Sequence, residues 1–189
     1  METVILASAS PRRKELLTQA GIPFEVHAMP VDEGCGAPAA EAVRLLSARK
    51  AEAVRGVFPG RFILGADTLV EAEGLPLGKP RSGEDALRML RLLSGRTHRV
   101  HTGVTVLSPE GRAFTDGDAT EVTFCAVPEA ELLAYVRSGE PMDKAGAYAL
   151  QGRAGLWITR IAGSPSSVIG LPLHLVRRLL LEAGYRPED

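Results

Sequence analysis

The sequence lacks the roughly 18 consecutive apolar residues that a membrane-spanning helix requires. It enters Val4-Ile5-Leu6-Ala7 without the charged, apolar and small-residue succession of a secretory leader. No membrane partner is expected, and the expected compartment is the cytoplasm. Charge of one sign is also lacking: 22 Lys and Arg stand against 23 Asp and Glu, for a net charge of −1. That balance removes any global attraction to nucleic acid or an anionic bilayer, so an anion site has to be built locally. Cysteine is scarce, and Cys35 and Cys125 show no CxxC or Cys/His spacing, which argues against a zinc site and a disulfide framework. His27, His98, His101 and His174 form no HxxxH or HExxH pattern, so none is assigned to a metal. The loops GxxxxGK[ST] and GxGxxG are missing, which argues against a P-loop kinase and a dinucleotide dehydrogenase.

What is present suits a folded enzyme-sized domain. The 189 residues, 45% of them hydrophobic, suffice for one domain or for two small lobes sharing a sheet. A first strand over Thr3 to Ala7 leads to Ser10, a helix cap, and to Pro11 at the first helical position, with Gly21 ending the helix. A short extended piece from Phe24 to His27 and a loop holding Asp32 and Glu33 precede a helix from Pro38 to about Arg55. Phe62-Ile63-Leu64 reads as a buried strand ending at Gly65-Ala66-Asp67-Thr68, with a turn-rich stretch through Gly74, Pro76, Gly78 and Pro80 beyond it. Ser82-Gly83-Glu84-Asp85 resembles a capping box and opens a helix that Ser94-Gly95 stops. Arg99 to Leu107 and Arg112 to Phe124 read as a long hairpin about the turn Ser108-Pro109-Glu110-Gly111. A helix from Pro128 to Ser138, a polar stretch to Gly155, a strand from Leu156 to Ile161, a loop from Gly163 to Gly170 and a helix from Leu173 to Ala183 complete the order. Helices interspersed with strands and one hairpin predict an α/β fold with a mixed sheet.

The most informative local feature is Ser8-Ala9-Ser10-Pro11-Arg12-Arg13. Cations in the first turn of a helix oppose its dipole, so an anion bound there is a sensible compensation, and solvated arginines behind an ordinary cap are the alternative. Asp67, where an apolar strand is expected to give way to a loop, can hold Mg²⁺ or orient water, or be a turn aspartate. Lys50 and Lys79 can each offer an ammonium to a phosphate, and Glu33 beside Asp32 can supply a hard oxygen ligand. The stretch from Asp143 to Gly152 is bounded by glycine as a loop approaching a ligand could be, and Gln151 carries a donor and an acceptor for a base edge. Trp157 reads as core.

Taken in order, Leu6 to Leu17, Gly65-Ala66-Asp67-Thr68, Leu77-Gly78-Lys79-Pro80, Leu93-Ser94-Gly95, Asp143 to Tyr148, Gly163-Ser164 and Val168 to Leu173 resemble the Maf family of nucleotide pyrophosphatases over nearly the whole chain. The resemblance implies an inosine-triphosphatase-like α/β fold: an elongated mixed β-sheet flanked by helices with a central cleft, as one domain over 1–189 with two lobes. It implies hydrolysis between the α and β phosphates, a divalent cation, Mg²⁺ or Mn²⁺, and a homodimer acting on free nucleotides, not on nucleic acid. Carried over by motif, Asp67 is the catalytic aspartate, as general base or as metal ligand with Glu33. Ser8, Arg12, Arg13, Lys50, Thr68, Lys79 and Gln151 face the substrate. The segment Ala145 to Gly152 resembles the branch acting on dTTP and UTP, although Ala149-Leu150 stands where that branch more often has Gly-Ile. Removal of non-standard pyrimidine nucleotides before their incorporation into nucleic acid is the implied role. A nucleotide-binding regulator of septum formation is the non-enzymatic alternative.

Overall fold

The computed structural model describes residues 2–186. Its elements, in order, are β1 (Val4–Leu6), α1 (Pro11–Gln19), β2 (Phe24–Val26), α2 (Ala39–Arg55), β3 (Ile63–Ala72), β4 (Leu75–Leu77) and α3 (Gly83–Leu93). They continue with β5 (Thr97–Leu107), β6 (Ala113–Phe124), α4 (Glu129–Arg137), β7 (Ile158–Ala162), α5 (Pro165–Ile169) and α6 (Leu173–Glu182). The strands make one mixed seven-stranded sheet in the order β2-β1-β3-β5-β6-β7, with β4 paired to β3. β1 runs parallel to both β2 and β3, with Val4 opposite Phe24 and Ile5 opposite Ile63. β4 is antiparallel to β3 and β7 antiparallel to β6.

The chain divides into two compact units, Met1–Asp67 with Thr102–Asp118 and Gly170–Asp189, and Thr68–His101 with Ala119–Ile169. In the first unit β1 is buried at every residue, as expected of a parallel strand covered on both faces. Ile5, Ala7, Ala51, Val54, Ile63 and Leu107 pack into its core with Phe58 against them. Each large aliphatic side chain so buried stabilises the unit by about 1.5–3 kcal/mol before entropy is counted. α2 buries Ala39, Ala42, Val43, Leu46, Ser47, Ala51 and Val54, a stripe at helical spacing.

In the second unit α3 turns Ala86, Met89, Leu90 and Leu93 inward, and Ser82 Oγ accepts a hydrogen bond from the Asp85 amide at 3.1 Å, capping the helix as its sequence predicts. Phe124, Tyr135, Tyr148 and Trp157 meet edge to face, with ring centroids 4.9 Å apart for Phe124 and Tyr148 and 5.1 Å for Tyr135 and Trp157. Trp157 is thus core, at 6% exposure.

Five local expectations are corrected. β3 does not end at Asp67; it runs for 10 residues through it, because Lys50 neutralises the carboxylate and the alternation of buried side chains continues to Val70 and Ala72. Leu75–Leu77, inside the turn-rich stretch, forms β4 against β3 across the Glu73-Gly74 turn. β7 starts at Ile158; Leu156, 87% exposed, and Trp157 close a short 3₁₀ turn. The loop from Gly163 to Gly170 contains α5, which buries Ser167 and Val168. Finally, Ser10 stands at the N-cap of α1 without a side-chain cap bond, and its own backbone amide donates to Ser8 Oγ at 3.3 Å.

Candidate active site

The segment that leaves β1 turns at Ser8 and enters α1 at Pro11, whose fixed φ suits the first helical position. Ser8 is buried, and its hydroxyl accepts from Arg13 Nη1 at 2.9 Å. Arg13 also donates from Nε to the Gly170 carbonyl at 2.8 Å. Burial lowers the Arg13 pKa and the charge of Asp67 opposes that shift, but a guanidinium remains charged throughout the working range. With these bonds Arg13 ties the start of α1 to the Gly170 segment. Arg12, the next residue toward the helix start, is half-buried and adds a like charge beside it.

Asp67 and Lys50 reach one another because β3 and α2 pack together. Lys50 Nζ donates to Asp67 Oδ1 at 2.5 Å and also pairs with Glu33 Oε1 at 2.8 Å. The Lys50 and Asp67 side chains are 16% and 11% exposed, whereas Glu33 is 61% exposed. Screening therefore differs between the two halves of the cluster: the Glu33 contact contributes about 0–1 kcal/mol. The Asp67 contact sits where an unpaired charge would be costly.

The loop that carries Glu33 is held by α2 as well. Arg49 Nη1 donates to the carbonyls of Asp32 and Gly34 at 2.9 and 3.0 Å, and Asp32 Oδ1 accepts from the Gly34 amide at 2.9 Å. Arg49 and the Gly170 carbonyl carry no sequence signal for this role, because each acts through a backbone contact with a segment remote in the chain.

Chemically the cluster offers two carboxylates whose oxygens converge on one cationic group. Among the described residues no three His, Cys, Asp or Glu side chains are grouped to hold a metal ion. Two carboxylates nevertheless fit Mg²⁺, which is commonly held by one or two carboxylates with phosphate oxygens and waters completing its shell.

Ser8, Arg13, Glu33, Lys50 and Asp67 are thus brought together within the first unit, with Arg12 adjoining. Thr68, Lys79 and Gln151 belong to the second unit. Thr68 is half-buried, and Lys79 and Gln151 are exposed. The Gly78 carbonyl next to Lys79 accepts from the Gly146 amide at 3.0 Å. Gly146 (φ 67°) and Ala147 (φ 62°) are both left-handed, and a Cβ on Gly146 would lie 2.7 Å from Val70 Cγ2. Tyr148 OH is 2.8 Å from His98 Nε2, with both side chains buried. Within the glycine-bounded segment, Gly146, Ala147, Tyr148 and Ala149 are buried, whereas Asp143 and Gln151 are exposed.

A model of the family described as Maf-like protein matches residues 3–183. The chain belongs to the Maf-like family. Similar curated relatives include a dTTP/UTP pyrophosphatase of Geobacillus sp. (strain WCH70), 45% identical over 98% of this chain and 100% of the relative. Another is a dTTP/UTP pyrophosphatase of Bacillus cereus (strain G9842), 47% identical over 95% of each chain. Among solved structures, a HAM1 protein from Coxiella burnetii aligns with a TM-score of 0.53 and 14% identity, covering 96% of this chain and 100% of that one. That likeness concerns the fold, and the mixed sheet flanked by helices is the one the resemblance implies. No helix among the described residues is long and apolar enough to cross a membrane.

Proposed function

We propose that this chain is a nucleoside triphosphate pyrophosphatase that hydrolyses the α–β phosphoanhydride of dTTP and UTP to the monophosphate and pyrophosphate. The observation that carries the chemistry is the Lys50 ammonium held between Asp67 at 2.5 Å and Glu33 at 2.8 Å. The choice of substrate is supported by the relatives named dTTP/UTP pyrophosphatase, 45% and 47% identical to this chain.

In the proposed reaction water attacks the α-phosphorus in line with the bridging oxygen, which leaves as pyrophosphate. One P–O bond forms as one breaks, and the water's proton has to be accepted. Asp67 is the catalytic carboxylate. Lys50, already beside it, loses a contact when Asp67 turns to water or a cation, and its ammonium is then placed to neutralise phosphate charge. Arg12 supplies positive charge at the first turn of α1, and Ser8 and Arg13 hold that turn in place. Glu33 and Asp67 would hold a divalent cation, Mg²⁺ or Mn²⁺, which when bound offsets negative charge on the phosphates and polarises the α-phosphate. Thr68, Lys79 and Gln151 are proposed as substrate-binding residues, Gln151 through its amide to the acceptor and donor edge of uracil or thymine.

The proposal includes a homodimer working in the cytoplasm on free nucleotides, where it limits entry of non-standard pyrimidines into nucleic acid. The test is pyrophosphate release from dTTP, UTP, CTP and 7-methyl-GTP with Mg²⁺ or Mn²⁺, with and without EDTA. Metal-dependent release preferring dTTP and UTP is expected. Preference for 7-methyl-GTP would overturn the substrate assignment, and nucleotide binding without release from any of the four would return the regulatory alternative.

A further inference from the structure

Lys50 reaches Asp67 because the backbone of α2 lies directly against the strands at Gly65 and Gly103, and glycine makes that approach available. A Cβ built on Gly65 in β3 would lie 2.2 Å from the Ser47 carbonyl oxygen and 2.9 Å from the Ala51 amide nitrogen. One built on Gly103 in β5 would lie 2.1 Å from the Val43 carbonyl oxygen and 2.7 Å from the Arg44 amide nitrogen. Both obstacles are helix backbone, which cannot swing aside as a side chain can. The two contacts lie four residues apart along α2, from Val43 to Ser47, so they seat successive turns.

Side-chain alternation completes the relation. Gly65 and Asp67 are two residues apart on one strand and share a sheet face, as do Gly103 and Thr105. The face is the one under α2, since Gly65 meets Ser47 and Ala51 and the Thr105 hydroxyl lies 2.9 Å from Ser47 Oγ. Thr105 Oγ1 lies 2.9 Å from Thr115 Oγ1 in β6, so a row of hydroxyls running from buried Ser47 and Thr105 out to exposed Thr115 sets the rotation of the helix while the glycines set its height. Lys50, one residue before Ala51, then stands beside Asp67 with its ammonium at 2.5 Å.

We propose that Gly65 and Gly103 are positioning residues for the reaction: their missing side chains fix the depth of α2 and through it hold the Lys50 ammonium on Asp67. The proposal deepens the pyrophosphatase reading above and rests on it for its kinetic arm only.

Two measurements test it. In crystal structures of Gly65→Ala and Gly103→Ala, α2 is expected to stand off the sheet with Lys50 Nζ beyond hydrogen-bonding reach of Asp67. A lifted helix with the contact kept, or an unmoved helix, overturns the proposal whatever the activity. Kinetically, Gly65→Ala is expected to lower kcat about 10-fold or more in wild type and less than about twofold in a Lys50→Ala background, the non-additivity of residues acting through one another. Equal losses in both backgrounds would mark a merely structural glycine and overturn the proposal. Gly56→Ala, with nothing within 4 Å of its Cβ, is the control for unchanged kcat. If neither alanine variant folds, Ser47→Ala, which loosens α2 on the same seat without adding an atom, enters the same cycle with Lys50→Ala: a kcat loss seen only where Lys50 is present supports the seat, and equal losses in both backgrounds overturn it. Wild type without pyrophosphate release would sink the functional reading and leave the crystallographic arm to decide the glycines.

Discussion

The carboxylate of Asp67 accepts a 2.5 Å hydrogen bond from Lys50 in the interior of β3, where 11% of the Asp67 side chain is exposed. A charge pair there is held by geometry, because both groups extend from regular elements and neither can retreat far into water. Removing one member leaves the other charged and poorly solvated.

Asp67→Asn keeps the shape and removes the charge. Turnover of dTTP is expected to fall by about 10²–10⁴, with the far-ultraviolet circular dichroism unchanged. Near-normal pyrophosphate release would remove Asp67 from the chemistry.

Arg13 holds Gly170 and Ser8 with two different nitrogens, a fork that an ammonium cannot reproduce. Arg13→Lys is therefore expected to destabilise the protein by about 1–3 kcal/mol, the cost of leaving a buried acceptor unmet. Urea denaturation measures it, and an unshifted midpoint would contradict the strut role.

His98 is 3% exposed, and burial lowers its pKa from 6.5 to about 4. Between those values the unfolded chain binds a proton that the folded protein does not, so stability rises with pH across this window. The contribution is complete above about pH 6.5 and is lost as pH falls toward 4, to a total of about 3 kcal/mol. Denaturant titrations at pH 7 and pH 4.5 are expected to show this loss in wild type and a smaller one in His98→Gln. An equal loss in both would assign the acid sensitivity to other groups.

Gln151 is exposed and makes its proposed contact through an uncharged amide. Gln151→Ala is expected to raise KM for dTTP and UTP by about 10-fold, the scale of one or two lost hydrogen bonds, with kcat changed less. Unchanged KM with reduced kcat would place Gln151 outside base recognition.

Most helices were legible because their boundaries are written in local chemistry. Ser82 before α3, Pro38 before α2 and Gly139, with φ 75°, after α4 each mark an end with a residue whose own backbone or side chain prefers it. Asp67 was legible as chemistry but misplaced as structure. A carboxylate after an apolar run reads as the start of a loop until the partner that neutralises it is known, and Lys50 is 17 residues away. The stretch from Asp143 to Gly152 was legible as polar and glycine-bounded; the left-handed conformations and burial of Gly146 and Ala147 were not, since they depend on packing against residues such as Val70, remote in sequence.

The amino-acid order by itself determined most of the succession of strands and helices, though not β4 or α5, together with the hairpin, the family and the ordered set of charged residues, since each of these depends on neighbours a few positions apart or on motifs read in sequence. Only the tertiary structure decided that Lys50 faces both Asp67 and Glu33, that Arg13 is anchored on the Gly170 carbonyl, and that α2 rests its backbone on Gly65 and Gly103. These relations join segments far apart in the chain, and their distances are set by how closely backbones can approach, a quantity that no local pattern of side chains records.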